Sequence, residues 1–229
     1  MKLSILPGSL WLAYYLSPDG ITNLSSMIPA QTRLVGSRLT ASRFVGDENW
    51  NAEHPLLLFN AYKLSSKFMV GNRIDIQTIV EDVITQKKHL VILDVLTDTL
   101  DWNPQNGIRL PNTRFNRIMK HNNDELQFEY QAKRGKQKLR LGAVSHSDAY
   151  REIDYRFAVE ANLQCFYRSF PTAYSMDFDH RIVSSPVRIM ETDYLENPFW
   201  RDERSTEPPK VFLHEHAMEF DVDVQNPFW

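Results

Sequence analysis

Three runs decide the fold: Leu56-Leu57-Leu58-Phe59-Asn60-Ala61-Tyr62-Lys63-Leu64, Gly71-Asn72-Arg73-Ile74-Asp75-Ile76-Gln77-Thr78 and His89-Leu90-Val91-Ile92-Leu93-Asp94-Val95-Leu96-Thr97. Each is rich in aliphatic, β-branched or aromatic residues and short enough to be a strand. Strands are expected over 55–65, 68–82 and 89–97. In the second, alternation sets Arg73, Asp75 and Gln77 on one face and Ile74 and Ile76 on the other. In the third, apolar residues fall on both faces, as in a strand covered on both sides. Asp94 stands among them, and a carboxylate in such a run needs a partner or a proton.

Working outward, residues 9–16 (Ser-Leu-Trp-Leu-Ala-Tyr-Tyr-Leu) read as an aromatic-rich strand. Ser17-Pro18-Asp19-Gly20 reads as a turn, residues 21–27 as a short helix stopped by Pro29, and 32–40 as a strand before a polar loop. Downstream, Asn103-Pro104-Gln105-Asn106-Gly107 is turn chemistry. A hairpin is expected from 125–132 and 137–144 around Lys133-Arg134-Gly135-Lys136, whose glycine can take a positive φ. Residues 155–168 suit helix or strand. Residues 181–190 suit a strand, with Pro186 marking an edge or bulge. The charged, proline-bearing segment 201–229 reads as an irregular extension packing on a single domain of residues 1–200. Successive strands on short turns imply a mainly β fold, an antiparallel barrel or cone with a few helices, because closure removes exposed edges.

Composition narrows the function classes. At 229 residues and 42% hydrophobic content the chain can bury a substantial core, and its net charge of -3 gives no general attraction to nucleic acid or anionic membrane. Cys165 is the only cysteine, so no intrachain disulfide forms. The apolar stretch 1–16 is broken by Pro7-Gly8 and precedes no small-x-small cleavage site, and no run is long enough to span a bilayer. A cytoplasmic location is therefore expected. Glycine-rich dinucleotide, phosphate-loop and nucleophile-elbow motifs are absent from the sequence. His214-Glu215-His216 and Asp177-Phe178-Asp179-His180 match no metal-ligand spacing with strong precedent, so neither a metal nor a cofactor is expected.

The candidate site residues follow from these strands. Arg73 would bind a substrate carboxylate bidentately, and Asp75 would orient it or move a proton. Asp94, unpaired in an apolar strand, would suit acid or base work; the bland alternative is a structural ion pair with an arginine. Asn60 and Tyr62 share a strand face and, with Gln77, would hydrogen-bond a ligand. Lys63 and the Lys87-Lys88 pair offer amines, with a snorkelling edge residue and a solvated turn as their ordinary readings. Asn197-Pro198-Phe199-Trp200 recurs as Asn226-Pro227-Phe228-Trp229. Such turns either dock in a partner's pocket or plug local hydrophobic surface.

The stretches Leu16-Ser-Pro-Asp-Gly-Ile-Thr-Asn-Leu-Ser-Ser-Met-Ile-Pro-Ala-Gln-Thr-Arg-Leu34, Phe59-Asn-Ala-Tyr-Lys-Leu64 followed by Met69-Val-Gly-Asn-Arg-Ile-Asp-Ile-Gln-Thr78, and His89 to Pro104 resemble the acetoacetate decarboxylase-like superfamily. The likeness runs over roughly 9–104, with an echo over 167–187. It implies an antiparallel β-barrel or cone with an internal cavity. In the decarboxylase motif a glycine-arginine-glutamate strand start leads to paired lysines, one of which forms a Schiff base. Here Gly71 and Arg73 match by type, and no lysine follows in that stretch. The resemblance thus implies the fold and argues against acetoacetate decarboxylation itself. Three functions are expected in turn: an enzyme (lyase, dehydratase or cyclase) on a small organic acid or carbonyl compound, a non-catalytic barrel binding a small molecule, or an interaction protein using its Asn-Pro-Phe-Trp segments. A second copy of the chain is a candidate partner.

Overall fold

A computed structural model of the chain describes residues 2–28, 30–36, 54–66, 70–86, 88–99, 101–103, 107–122, 125–146, 150–154, 163–167, 170–178 and 184–223. In chain order the elements are β1 (Lys2–Ile5), β2 (Ser9–Tyr15), α1 (Pro18–Ser25), β3 (Thr32–Leu34), β4 (Leu56–Ser66), β5 (Val70–Asp82) and β6 (Lys88–Thr97). There follow β7 (Asp101–Asn103), β8 (Gly107–Arg109), β9 (Arg114–Asn122), β10 (Glu125–Arg134), β11 (Gln137–Ser145) and β12 (Tyr150–Asp154). The last are β13 (Leu163–Tyr167), β14 (Phe170–Phe178), β15 (Ser184–Glu196), β16 (Lys210–His214) and β17 (Met218–Asp223). The three strands expected between 55 and 97 are β4, β5 and β6, and they pair antiparallel in that order. The expected hairpin is β10–β11, closed at Gly135 with φ +60°.

The fold is mainly antiparallel β, organised around β4 and β5. Among the described residues, backbone pairings run from β4 through β5, β6, β13, β14, β17 and β1 and return to β4. Within this ring β6 and β13 are parallel and the other neighbours antiparallel. A second path leaves the same edge of β4 through β2, β16, β15, β11 and β10 and ends at β9. β1 and β2 thus share one flank of β4, with a break around Gly8, whose φ is +83°.

Two hydrophobic clusters occupy the two sides of β4 and β5. On the outer side Leu57, Phe59, Ile74, Ile76, Val91 and Leu96 pack against Leu126, Phe128, Leu139 and Leu141 of the β10–β11 hairpin. On the inner side Leu58, Ile79 and Met218 meet Phe212, with Ile5, Trp11 and Leu90 alongside. Those inner residues come from β1, β4, β5, β6 and β17 of the ring of pairings and from β2 and β16 beside it. Each fully buried Leu, Ile or Phe contributes roughly 1.5–3 kcal/mol through burial.

Three expectations change. Residues 17–20 do not form a free turn: Ser17 is the N-cap of α1, its side chain accepting from the Gly20 N–H at 2.9 Å. Pro18 takes the first helical position, where its missing N–H costs nothing. The segment from 201 is not a peripheral extension, because β16 inserts between β2 and β15 and β17 between β1 and β14. Its apolar Val211-Phe212-Leu213 is buried on both faces, which a short run in a charged tail does not announce. The strand expected over 32–40 is described only as Thr32–Leu34, and 37–40 lie outside the described residues.

Gly71 is the second residue of β5 and lies beside Asp98 and Thr99, which follow β6. A Cβ there would stand 2.6 Å from the Thr99 Cβ and Cγ2 and 2.9 Å from an Asp98 carboxylate oxygen. The Asp98 carboxylate itself accepts from the Asn72 backbone N–H and side-chain amide, both at 2.6 Å, and fixes the start of β5. Gly71→Ala is expected to cost about 1–3 kcal/mol through overpacking, lowering the melting temperature by several degrees. Gly135→Asn, where nothing lies within 4 Å and the φ suits asparagine, is expected to leave it nearly unchanged. Equal melting temperatures for the two variants would remove Gly71's steric role.

Candidate functional site

The inner face can be built row by row from the strand register. In one row Phe212 of β16 stands opposite Trp11 of β2, Trp11 opposite Asn60 of β4, Asn60 opposite Asp75 of β5, and Asp75 opposite Val95 of β6. In the adjacent row His214 stands opposite Ser9, while Tyr62 stands opposite Arg73 and Arg73 opposite Thr97. On the other side Leu58 stands opposite Gln77. Side chains two apart on a strand share a face. Five expected site residues (Asn60, Tyr62, Arg73, Asp75 and Gln77) therefore lie together on the inner face, with Ser9, Trp11 and His214 beside them.

Asp75 is the centre of the polar group. It is 2% exposed, and Arg73 Nε donates to its Oδ1 at 2.6 Å. The Tyr62 hydroxyl donates to its Oδ2 at 2.8 Å, and Gln77 Nε2 reaches the same oxygen at 3.5 Å. Arg73 is itself 9% exposed. A buried acid and a buried guanidinium in one another's company carry no net charge, and the tyrosine completes the acceptor's coordination. Asp75 thus orients Arg73 and Tyr62 from within the sheet.

Asp94 stands apart from this group. It is opposite Ile76, on the outer face, and Arg134 of β10 pairs with it at 2.7 Å. Its Oδ1 also accepts from the Val95 N–H at 2.8 Å. The reason is a β-bulge: β5 and β6 shift register between Ile76 and Gln77, leaving Leu93 as the extra residue on β6. The bulge reverses the facing of β6. Leu90 and Ile92 look inward before it, and Val95 and Thr97 after it. Asp94 thus makes the structural ion pair of the bland alternative, with Arg134, and lies on the opposite face from Arg73.

Among the amines, Lys63 falls on the outer-face alternation of Phe59 and Ala61, and Lys88 stands opposite Glu81 at the far end of β6 from Arg73. Lys87 lies outside the described residues. His214 and His216 do not form a pair: β16 ends at His214, which is 1% exposed, whereas His216 is exposed. Among the described residues no group of three His, Cys, Asp or Glu side chains is placed to hold a metal. Asp179 and His180 lie outside them. No helix among the described residues is long and apolar enough to cross a membrane.

Three further inner-face residues are Ser9 and Trp11, read in the sequence only as part of a strand, and His214, read there only as half of a histidine pair. The His214 and Trp11 rings sit 5.4 Å apart between centroids. Burial pushes the His214 imidazole down to a pKa of about 3, so the ring is neutral. The Ser9 Oγ and Asn60 Oδ1 atoms are buried, and neither has a hydrogen-bond partner among the described residues. A buried polar atom left in that state costs about 1–3 kcal/mol.

The first Asn-Pro-Phe-Trp segment is packed within the chain. Asn197 Nδ2 donates to the Tyr14 hydroxyl at 3.2 Å, the Phe199 N–H returns to Asn197 Oδ1 at 3.1 Å, and Phe199 is 2% exposed. Arg204 lies over the Tyr14 ring and donates to the Asn197 and Trp200 carbonyls. The second copy, 226–229, lies outside the described residues.

A solved enduracididine biosynthesis enzyme, MppR, complexed with the condensation product of pyruvate and imidazole 4-carboxaldehyde, superposes with a TM-score of 0.51 at 7% identity, over 97% of this chain and 86% of that one. The fold is acetoacetate decarboxylase-like. An acetoacetate decarboxylase from Legionella pneumophila aligns at TM-score 0.49 and 11% identity over 99% of this chain and 88% of its own. A second acetoacetate decarboxylase structure aligns at 0.47 and 8% over 98% and 90%. At such identities the acetoacetate decarboxylase-like assignment is one of fold alone. No family model matches the sequence, and no curated protein does.

Two measurements check this geometry. Asp75→Asn is expected to cost about 3 kcal/mol by taking the acid from a buried pair, whereas Asp94→Asn is expected to cost under about 1 kcal/mol because both partners are about a quarter exposed. Urea denaturation of the two variants separates them, and equal losses would contradict the placement. His214 binds a proton in the unfolded chain near pH 6.5 but in the folded one only near pH 3. Its contribution is therefore fully present above pH 6.5 and is lost as pH falls towards 3, at up to about 1.4 kcal/mol per unit. His214→Phe is expected to flatten the fall of the urea midpoint between pH 6 and 4. An unchanged slope would mean that the imidazole is not buried neutral.

Proposed function

We propose that the chain is a small-molecule enzyme of the acetoacetate decarboxylase-like type, acting on a small organic acid or carbonyl compound at the inner face of the ring. The observation that carries this reading is the buried constellation on Asp75, which receives Arg73 at 2.6 Å, Tyr62 at 2.8 Å and Gln77 at 3.5 Å. A carrier of apolar molecules needs an apolar lining. A polar network inside a sheet is costly unless every member is satisfied or a ligand completes it.

Arg73 would hold the ligand's carboxylate, with Asp75 fixing the plane of its guanidinium. Tyr62, whose hydroxyl donates to the same acid, would turn that proton to a ligand's carbonyl oxygen and recover it from the hydroxyl so formed. Asn60 and Gln77 would add hydrogen bonds from neighbouring positions. Proton movement beside an anchored carboxylate serves lyase, dehydratase and cyclase chemistry alike. That MppR was solved with a condensation product derived from a keto acid and an aldehyde supports a ligand of this size and polarity for the shared fold.

The test is calorimetric titration with small oxo acids, beginning with pyruvate and levulinate, alongside native mass measurement of the purified protein. Binding weakened tenfold or more by Arg73→Gln, with the fold retained by circular dichroism, is expected. Binding that ignores Arg73→Gln would remove the anchor and the reading with it.

A further inference from the structure

We propose that the inner face holds a second recognition point, formed by Ser9 and Asn60, for an uncharged hydrogen-bonding group such as a primary carboxamide at the far end of the ligand from its carboxylate. This rests on the reading of the inner face as a small-molecule site and adds the ligand's other end.

Two unpartnered atoms mark the place. Ser9 is fully buried and its Oγ has no partner among the described residues; the Asn60 Oδ1 is in the same state. Both belong to the inner-face lattice. Asn60 stands directly opposite Trp11, and Ser9 lies two residues before Trp11 on the same strand face. They are diagonal neighbours, about 7–8 Å apart at the backbone, so one small group can touch both. Native sheets rarely leave buried polar atoms unmet, and each such atom calls for a reason, a catalytic or binding role among them.

The chemistry of the two atoms selects the group. Asn60 Oδ1 only accepts, so the ligand must donate; the Ser9 hydroxyl both donates and accepts. A carboxamide supplies an N–H to the first and a carbonyl to the second. A carboxylate offers no donor. An ammonium would be stripped of water beside no free acid, since Asp75 is already held by Arg73, Tyr62 and Gln77. His214 beside Ser9 is neutral and adds no charge of its own. Ser9 lies one strand beyond Tyr62 and two beyond Arg73, which at about 4.8 Å per strand spaces the two recognition points roughly 10 Å apart between backbones. That spacing, shortened by the side chains reaching inward from both ends, suits a ligand of three to five carbons.

Succinamate and levulinate test this directly. They share a carboxylate and a chain length, and differ in an amide NH2 against a methyl. Succinamate is expected to bind the wild-type protein at least tenfold more tightly, the worth of about 1.4 kcal/mol. Asn60→Leu and Ser9→Ala are each expected to shrink that preference to under threefold, while Arg73→Gln weakens both probes together. Equal binding of the two probes, both lost with Arg73→Gln, would overturn the second recognition point and leave the carboxylate site standing. Binding of neither at 10 mM would overturn both. Stability gives an independent reading: Ser9→Ala removes an unmet hydroxyl, so the ligand-free melting temperature is expected to hold or rise. A fall of several degrees would show the hydroxyl bonded within the empty protein and would also overturn the proposal.

Discussion

The inner face depends on the register between β4 and β5. The pairing runs without a shift from Leu57 opposite Thr78 to Ser65 opposite Val70. A slip of one residue would exchange the faces of one strand entirely. Arg73, Asp75 and Gln77 would then face the Phe128 and Leu141 side, and Ile74 and Ile76 would face the polar group. Neither arrangement can be satisfied, so burial on both sides pins the register more firmly than backbone bonds alone. The Asp98 carboxylate on Asn72 and the close passage of Gly71 past Thr99 hold the same register at its end.

That constraint explains which parts of the molecule were legible in the sequence. Within β5, strict alternation made Arg73, Asp75 and Gln77 readable as one face, and Asn60 with Tyr62 followed by the same rule. Alternation failed at Asp94. Reading straight through from Leu90 and Ile92 places it inward, but the bulge at Leu93 turns it outward, and no residue type there signals a bulge. The meeting of Ser9 with His214, a residue weighed only for its spacing to His216, is illegible for another reason: it comes from β2 and β16 pairing although they lie far apart in the chain. Nothing local in Gly-Ser-Leu-Trp or Val-Phe-Leu-His carries that information. The same non-local pairing hid the tail's place inside the sheet.

The charges of the inner face also cancel locally. Arg73 is balanced by Asp75, and His214 stays uncharged because burial denies it a proton. Recognition on such a surface turns on hydrogen-bond direction more than on net attraction, because a misplaced donor or acceptor is left unmet in a dry site. Asp94 and Arg134 show the contrast: a partly exposed pair on the outer face ties the β10–β11 hairpin to β6 and is screened by water.

The ring of pairings is unequal around its circumference. Among the described residues, β4, β5 and β6 are zipped over long stretches, whereas β1 meets β4 from Leu3 to Ile5 and β13 meets β6 from Cys165 to Tyr167. Local opening costs least where the fewest backbone bonds must break. Opening at these two short seams is expected to cost less than opening between the strands that carry Arg73 and Asn60. A solute entering by such a seam would leave the long β4–β5 pairing intact.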